Sequence, residues 1–260
     1  NKRTFMLADL RQAFRDVEAA SGGAYEGLFE DFDVDSKDLG KTHDKRNEMI
    51  ASVIKALAHI NFNDYPDDAL GDAYEYLISQ FAAESGKKAG EFYTPQSVSK
   101  IIARIVTHGQ NQKYGFTVYD PAMGSGSLLL RIRNYIENDE SGVDNKDAVQ
   151  FFGQELKNQT YNLARMNMML HRVPSDKQHL RNGDTLDADW PTDEPTNFDA
   201  VVMNPPYSQK YDARESFLSD PRFAQYKKLP PASKADYAFL LHGFYHLNCL
   251  LYTSPSPRDA

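Results

Sequence analysis

The sequence predicts an α/β protein with a parallel sheet, preceded by a small all-helical domain. In the second part of the chain four short runs predicted as strands succeed one another, at residues 116–119, 148–153, 178–181 and 198–203, and all but the third are mainly apolar. Stretches with helical spacing separate them, an alternation typical of strand–helix–strand units in a parallel sheet. Residues 1–85 show helical spacing without strand-like runs. We therefore predict a helical domain at 1–85, an α/β domain at 86–247 and a disordered tail at 248–260.

Three helices are predicted in the first domain. One begins near Leu7, and another spans about 70–81. Between them lies a helix whose apolar face carries Ile50, Val53, Ile54 and Leu57. We expect no catalytic site here, because the histidines of this region stand alone.

The second domain opens on the motif Phe92-Tyr93-Thr94-Pro95. Thr94 suits a helix N-cap and Pro95 the first helical residue, so a helix should begin here. Its predicted buried stripe is Val98, Ile101, Ile102 and Ile105. A helix start leaves Phe92 and Tyr93 unexplained, since both aromatics would lie on a loop that enters a sheet domain.

Composition restricts the partners and the location of the protein. The net charge is −8, so a self-sufficient nucleic-acid binder is not indicated, and work on DNA would need a local basic patch or a partner. The single cysteine, Cys249, excludes a disulfide framework and a multi-cysteine zinc site, and we predict no metal. No membrane-spanning run or signal peptide is present, which favours the cytoplasm. The absence of an initiator methionine suggests a fragment.

A glycine turn follows the first predicted strand. It reads Asp120-Pro-Ala-Met-Gly-Ser-Gly126 and leads into an apolar helix. Glycines at such a turn let the backbone approach a ligand closely. A diphosphate would be repelled by Asp120, whereas a ligand with a cationic amine would be favoured. The alternative is a glycine turn that merely joins a strand to a helix.

Carboxylates also follow the next two strands. Glu155 is placed to bind both hydroxyls of a ribose. Asp184 could accept from an adenine amino group or simply cap its turn. Taken singly, such residues are more often turn carboxylates, but their regular placement after successive strands favours a ligand site.

The fourth strand ends at Asn204-Pro205-Pro206-Tyr207. Two prolines stop the strand pairing and stiffen the chain. The Asn204 side-chain oxygen and the Pro205 carbonyl could each accept one hydrogen of a planar NH2 group, and Tyr207 could stack on its π-system. As a sequence pattern alone, the motif is also compatible with a strand-ending turn.

In this order, the motifs resemble those of the amino-group DNA methyltransferases, and specifically the modification (M) subunit of type I restriction-modification systems. The resemblance covers roughly residues 45–247. It implies a Rossmann-like S-adenosylmethionine-dependent methyltransferase core. Because that family continues beyond Asn248 with further strands, whereas this chain ends in a Ser/Pro-rich tail, we expect the core to be C-terminally incomplete.

By this resemblance, S-adenosylmethionine binds at the turns described above. The implied cofactor residues are Phe92, Tyr93, Thr94, Pro95, Asp120, Pro121, Ala122, Met123, Gly124, Ser125, Gly126, Glu155 and Asp184. The implied catalytic residues are Asn204, Pro205, Pro206 and Tyr207, which would hold a target adenine flipped out of double-stranded DNA. The implied reaction is direct methyl transfer to adenine N6. The implied partners are a DNA-specificity (S) subunit, a second M subunit and a restriction (R) subunit.

Two other functions remain open from the sequence. A protein-glutamine N5 methyltransferase also uses Asn-Pro-Pro-Tyr, to hold a planar amide. A catalytically inactive scaffold would keep the fold alone.

The long stretch after Tyr207, to about Lys234, mixes aromatic and basic residues. It could contact a distorted DNA strand or cover the sheet as a structural loop. A helix at 235–247 should follow, with Leu240, Phe244 and Leu247 inward.

Overall fold

The computed structural model describes residues 7–61, 64–66, 69–84, 93–109, 115–137, 149–193, 196–206, 210, 212 and 214–248. It forms two compact units, residues 1–72 and 73–260. The predicted boundary at residue 85 lies outside the described residues, as do Phe92, Tyr207 and residues 249–260 of the predicted tail.

The three helices predicted for the first part of the chain are confirmed. They are α1 (Leu7–Ala20), α2 (His43–Leu57) and α3 (Ala69–Glu84), and α3 crosses the division between the units. Leu7, Val34 and Ile50 form a small buried core in the first unit. The remaining residues of the predicted apolar face of α2 are exposed: Val53, Ile54 and Leu57.

The second unit is built on a parallel sheet, as predicted, with the strand order β3-β2-β1-β4. The strands are β1 (Phe116–Asp120), β2 (Val149–Glu155), β3 (Gln178–Asn182) and β4 (Ala200–Val201). In the register, Asp120 lies opposite Gly153, and Glu155 lies opposite Asn182. The carboxyl ends of these strands therefore meet at one edge of the sheet.

The run predicted as a strand at 198–203 is mostly irregular. Only its centre is β4, while Phe198 forms an isolated parallel bridge with Leu247. The Phe198 N–H donates to the His246 carbonyl, and the Asn248 N–H donates to the Phe198 carbonyl, both at 2.8 Å. The chain after the last helix thus pairs beside β4.

Helices cover the sheet. They are α4 (Gln96–Val106), α5 (Ser127–Glu137), α6 (Asn158–Leu170), α7 (Pro221–Ala224) and α8 (Asp236–Tyr245). Phe116, Phe151, Ile132 and Met168 are fully or almost fully buried in the main core. Burial of each such side chain contributes about 1.5–3 kcal/mol. Within the described residues, no helix is long and apolar enough to cross a membrane.

The start and the inward face of α4 differ from the prediction. Pro95 is the N-cap, and α4 begins one residue later, so Thr94 does not cap the helix. Ser99 and Ala103 are buried, because small side chains let α4 approach α5 closely. The apolar residues of the predicted stripe are largely on the opposite side and exposed: Val98, Ile101 and Ile105.

A similar correction applies to α8. Leu240 and Phe244, predicted to point inward, are exposed, and Leu247 is half-buried. The inward face carries Gly243, where an added Cβ would overlap the Met203 side chain and approach Val201 at 3.2 Å. The side of α8 that faces the sheet is therefore the one on which Gly243 leaves room for Met203 and Val201.

Candidate functional site

The glycine turn between β1 and α5 forms the floor of the site. Gly124 and Gly126 have φ angles of 55° and 76°, the left-handed region that favours glycine. The Met123 N–H donates to the Gln154 carbonyl (3.0 Å), and the Gly126 N–H donates to the Met123 carbonyl (2.8 Å). These bonds fix the turn against the end of β2.

Gly153 makes room for this turn. A Cβ at residue 153 would overlap the Met123 sulfur and lie 3.3 Å from Leu129. On the other side, Asn167 of α6 donates to the Ser125 carbonyl at 3.0 Å. Gly153, two residues before the predicted ribose-binding Glu155, therefore has a packing role that its sequence context does not reveal.

A pocket lies above the turn and brings together residues distant in sequence. It is lined by Tyr93, Thr94, Asp120, Ala122, Met123, Gly124, Ser125, Ser127, Leu128 and Asn204. Seven of the predicted cofactor residues thus share one pocket with Asn204, the first residue of the predicted target motif. Ser127 and Leu128 were not predicted, although their position at the start of α5, directly after the turn, is a signal that could have found them.

Asp120 is the central charged group of this pocket. Its side chain is only 2% exposed, and Oδ1 accepts from the Ala122 N–H at 2.9 Å. No ion pair to a cationic side chain of the described residues is formed. Burial raises the pKa of Asp120 to about 8, with a smaller upward contribution from the nearby Glu155 carboxylate. A positively charged ligand would supply the missing counter-charge.

Glu155 lies beside the same turn. Its Oε2 accepts from the Gly124 N–H (3.2 Å), and its Oε1 accepts from the Lys157 N–H (2.9 Å). Burial raises the pKa of Glu155, while these backbone hydrogen bonds oppose the rise. Each carboxylate oxygen retains acceptor capacity, so the predicted contact with ribose hydroxyls is chemically compatible with this arrangement.

Asp184 caps its turn, which is one of the two roles that the sequence allows for it. Its Oδ1 accepts from the Leu186 N–H at 2.9 Å, and the residue is exposed. Oδ2 remains on the same side chain for a ligand. Neither Asp184 nor Glu155 lines the pocket around Asp120.

The other predicted residues have different surroundings. Pro121 offers its carbonyl to the Thr185 hydroxyl at 2.6 Å. Pro95 is exposed at the start of α4, while Pro205 and Pro206 are half-buried after β4.

The stretch after the Asn204 motif contains structure that was not predicted. A 3-10 turn spans Glu215–Ser219, and α7 follows it. Phe217 and Phe223 are buried in a cluster with Phe239, so these two aromatics serve the core. The exposed residues of this stretch that suit contact with a strand of DNA are Lys210, Tyr226, Lys227, Lys228 and Lys234.

Arg214 was also predicted among the basic residues of this stretch. It is exposed, but it is ion-paired with Asp187 and Asp212, both at 2.6 Å. Its charge is therefore already compensated.

A buried polar network lies behind the pocket, around Arg222. Arg222 Nη1 donates to His242 Nδ1 at 3.3 Å. A guanidinium only donates, so the His242 proton must be on Nε2, from which it is donated to the Tyr119 hydroxyl at 2.8 Å. The Tyr119 hydroxyl in turn donates to the Trp190 carbonyl at 2.9 Å. Burial, together with the charges of His246 and Arg222, lowers the pKa of His242 well below its usual value.

This network includes a group that could be taken for a metal centre. Asp189, His242 and His246 each offer a ligand atom, within 4.8 Å of one another. However, His242 Nδ1 already accepts from Arg222, and His246 Nε2 is 2.9 Å from Asp189 Oδ1. The Arg222 Nε also lies 3.7 Å from the same Asp189 oxygen. A metal ion would have to displace a buried guanidinium, so the group fits a hydrogen-bond network better.

Comparison with known proteins gives the family. Residues 65–249, more than half of the chain, match the sequence profile of N-6 DNA Methylase. The chain belongs to the N-6 DNA methylase family. A relative of this chain is the type I restriction enzyme MpnII methylase subunit of Mycoplasma pneumoniae. The two are 38% identical over 256 residues, which is 92% of this chain and 46% of that protein.

Solved structures agree with this assignment. The type I restriction-modification system methyltransferase subunit from Streptococcus thermophilus superposes with a TM-score of 0.86 and 55% identity, covering 94% of this chain and 50% of that one. A class I S-adenosylmethionine-dependent methyltransferase from Listeria monocytogenes, at 19% identity and a TM-score of 0.59, shares the fold. The predicted Rossmann-like methyltransferase core is therefore confirmed. This chain spans about half the length of its type I relatives.

Proposed function

We propose that this N-6 DNA methylase transfers the methyl group of S-adenosylmethionine to N6 of adenine in DNA, as the modification subunit of a type I restriction-modification system. One observation carries the proposal: Asn204 of the target motif lines the same pocket as Asp120 and the glycine turn. A methyl donor held by the turn and an amino group held by Asn204 would therefore be neighbours.

The residues of the pocket fit S-adenosylmethionine. When bound, this cofactor supplies a methyl group activated by a positively charged sulfur. Asp120 is buried without a cationic partner among the described residues, and a ligand that brings a cationic amine would stabilise its ionised form. The left-handed Gly124 lines the pocket and lets the backbone approach such a ligand. Gly126 serves the packing of the turn, because a Cβ there would lie 3.4 Å from Met168 and 3.6 Å from Ala164.

The target side of the site needs hydrogen-bond acceptors rather than a nucleophile. Adenine N6 is a poor nucleophile because its lone pair is delocalised into the ring. The Asn204 side-chain oxygen and the Pro205 carbonyl would accept its two hydrogens and favour a pyramidal, more reactive nitrogen. Tyr207 would stack on the ring. Catalysis by this arrangement rests on positioning and electrostatics.

The substrate would be double-stranded DNA with the target adenine flipped out. A separate specificity subunit would read the sequence, together with a second methylase subunit and a restriction subunit, in the cytoplasm. The exposed Lys227, Lys228 and Lys234 are candidate phosphate contacts. They are few in a chain of net charge −8, so a partner would supply most of the DNA affinity.

The test uses the full-length protein with its specificity subunit, tritiated S-adenosylmethionine and duplex DNA. We expect label in adenine N6, and we expect Asn204→Ala to lower the rate by at least about 100-fold. Asn134→Ala is the matched control, because Asn134 is exposed on α5. Label in protein glutamine instead of adenine would favour a protein methyltransferase. Cofactor binding without any transfer would favour a scaffold.

A further inference from the structure

A single threonine hydroxyl joins the ends of three strands. Thr185 Oγ1 donates to the Pro121 carbonyl at 2.6 Å, and it accepts from Gln154 Nε2 at 2.9 Å. Pro121 follows β1, Gln154 lies at the end of β2, and Thr185 lies beyond β3.

Each of these residues is adjacent in sequence to one of the three carboxylates of the predicted cofactor site. Pro121 follows Asp120, Gln154 precedes Glu155, and Thr185 follows Asp184. The hydroxyl therefore links the backbone segments that carry all three carboxylates, although it does not line the pocket itself.

The hydrogen bonds of Thr185 are shielded from water. Thr185 is 4% exposed and Gln154 is 0% exposed. The Gln154 Oε1 is already buried without a hydrogen-bond partner. Within the described residues, the Gln154 side chain makes no hydrogen bond other than the one to Thr185. Loss of the Thr185 hydroxyl would remove that bond and would also remove a donor from the Pro121 carbonyl. The main-chain hydrogen bonds between the strands would remain, but the three segments would lose the two side-chain contacts that fix their spacing, and a buried polar group would be left unpaired.

The main chain of Thr185 is held independently of its side chain. Its carbonyl accepts from Arg222 Nη1 at 2.7 Å, and Arg222 is fully buried and paired with Asp220 at 2.6 Å. A change of the side chain alone should therefore leave the backbone of residue 185 in place. This allows the role of the hydroxyl to be separated from the folding of the turn.

We propose that Thr185 is a positioning residue: its hydroxyl sets the spacing of Asp120, Glu155 and Asp184, and through them the affinity for S-adenosylmethionine. The inference rests on the proposed function, because it takes the ligand from there. Thr185 touches neither the cofactor nor the substrate in this account. Its effect appears in cofactor binding rather than in the transfer step.

The experiment measures S-adenosylmethionine affinity by calorimetry in the full-length protein. Thr185→Val keeps the shape of the side chain without the hydroxyl, and we expect the Kd to rise by about tenfold or more, as for a buried polar group left unpaired. Thr185→Ser retains the hydroxyl and should stay within about threefold of the wild type. In the complex with the specificity subunit, Thr185→Val should raise the KM for S-adenosylmethionine and leave kcat and the KM for DNA little changed.

Thr107→Val is the matched control. The Thr107 hydroxyl is also buried and donates to a main-chain carbonyl, that of Ala103, at 2.8 Å, but this bond lies at the C-terminal end of α4. An equal loss of cofactor affinity in Thr107→Val would overturn the inference, because general destabilisation would then explain both variants. If Thr185→Val does not fold, Gln154→Met removes the Gln154 bond alone and should still weaken binding; unchanged affinity would overturn the inference.

The outcomes also separate this inference from the proposed function. Tight binding of S-adenosylmethionine by the wild type and equally by Thr185→Val would overturn the role of Thr185 alone. Failure of the wild type to bind S-adenosylmethionine would overturn both.

Discussion

The main-chain N–H of Gly124 donates a hydrogen bond to Oε2 of Glu155 at 3.2 Å. The carboxylate predicted to bind ribose thus also holds the glycine turn of the predicted cofactor site. The glycine turn and Glu155 are separate motifs in the sequence, but a hydrogen bond joins them in the structure. Substitutions at residue 155 should therefore affect the cofactor in two ways.

We expect Glu155→Ala to weaken S-adenosylmethionine binding more than Glu155→Gln. Each charge-assisted hydrogen bond to the ribose contributes about 1.5–3 kcal/mol, and alanine removes these contacts and the support of Gly124 together. Glutamine keeps one oxygen that can still accept from the Gly124 N–H. Calorimetry on both variants measures the difference. Equal losses of S-adenosylmethionine affinity in the two variants would show that Glu155 does not support the turn. Unchanged affinity in both variants would show that Glu155 is only a turn carboxylate.

Binding of S-adenosylmethionine should release a proton below pH 8. In the free protein, burial raises the pKa of Asp120 to about 8, so its carboxyl is mostly protonated at pH 6–7. A cationic ligand favours the ionised form and expels the proton, so affinity should rise by up to about tenfold per pH unit until about pH 8. Calorimetry at pH 6.5 in buffers of different ionisation enthalpy counts the protons released.

The source of that proton can be checked with Glu155→Gln. The pKa of Glu155 is also raised by burial, so it is the competing source. Retained proton release in this variant assigns the proton to Asp120. Its disappearance would contradict the prediction.

Asp120→Asn should stabilise the ligand-free protein, and increasingly so from about pH 4 to pH 8. A folded-state pKa of about 8, raised from 3.8, means that the unfolded state loses its proton first. The contribution of Asp120 to stability is therefore fully present below about pH 4 and declines by about 1.4 kcal/mol per pH unit until about pH 8. Asparagine does not titrate, so this decline should be absent from the variant.

Urea denaturation of wild type and Asp120→Asn at pH 5 and pH 8 measures the effect. Taking the difference between the two proteins cancels the titration of the groups that do not interact with Asp120. A difference that does not grow between these pH values would contradict the burial argument. The same variant should bind S-adenosylmethionine poorly, because it lacks the charge that attracts the cation.

Much of the site could be predicted from sequence because short motifs directly follow the strands. Asp120, Glu155 and Asp184 each stand at or just after the end of a predicted strand, and parallel strands bring such positions to one edge. The inward faces of α4 and α8 could not be found this way. Ala103 of α4 and Gly243 of α8 face inward because small residues let a helix approach its neighbour closely. A count of apolar side chains along each helix predicts a different inward face.

The Arg222 network was not predicted for a different reason. Arg222, His242 and Tyr119 lie far apart in sequence, and no spacing rule connects them. From the sequence, the basic and aromatic residues between Tyr207 and Lys234 could either contact DNA or form a structural loop. The structure instead buries Phe217, Phe223 and Arg222. The sequence around a charged residue in a polar stretch does not indicate whether that residue faces the core or the solvent.

Arg222→Met should destabilise the protein far more than Arg214→Met. Both arginines are paired with carboxylates at 2.6 Å, but Arg222 is fully buried whereas the Arg214 side chain is 53% exposed. Removing the Arg222 guanidinium leaves the Asp220 charge without its counter-charge. It also leaves the Thr185 carbonyl and His242 Nδ1 without the donor that Arg222 supplies, and the total cost in stability is about 3–5 kcal/mol. Removing an exposed partner costs about 0–1 kcal/mol, because water solvates the remaining carboxylates.

The two arginine variants also differ in their pH dependence. Burial raises the pKa of Asp220, but its hydrogen bonds with Arg222 outweigh this and lower it overall. A lowered pKa stabilises the folded state above the usual aspartate range, and this stabilisation is lost as the pH falls through the folded-state value. The deficit of Arg222→Met should therefore shrink in acid. Urea denaturation at pH 7 and pH 3 measures it, since the loss occurs below the usual aspartate value of 3.8. A cost for Arg222→Met no larger than that for Arg214→Met would mean that the buried network does not stabilise this unit.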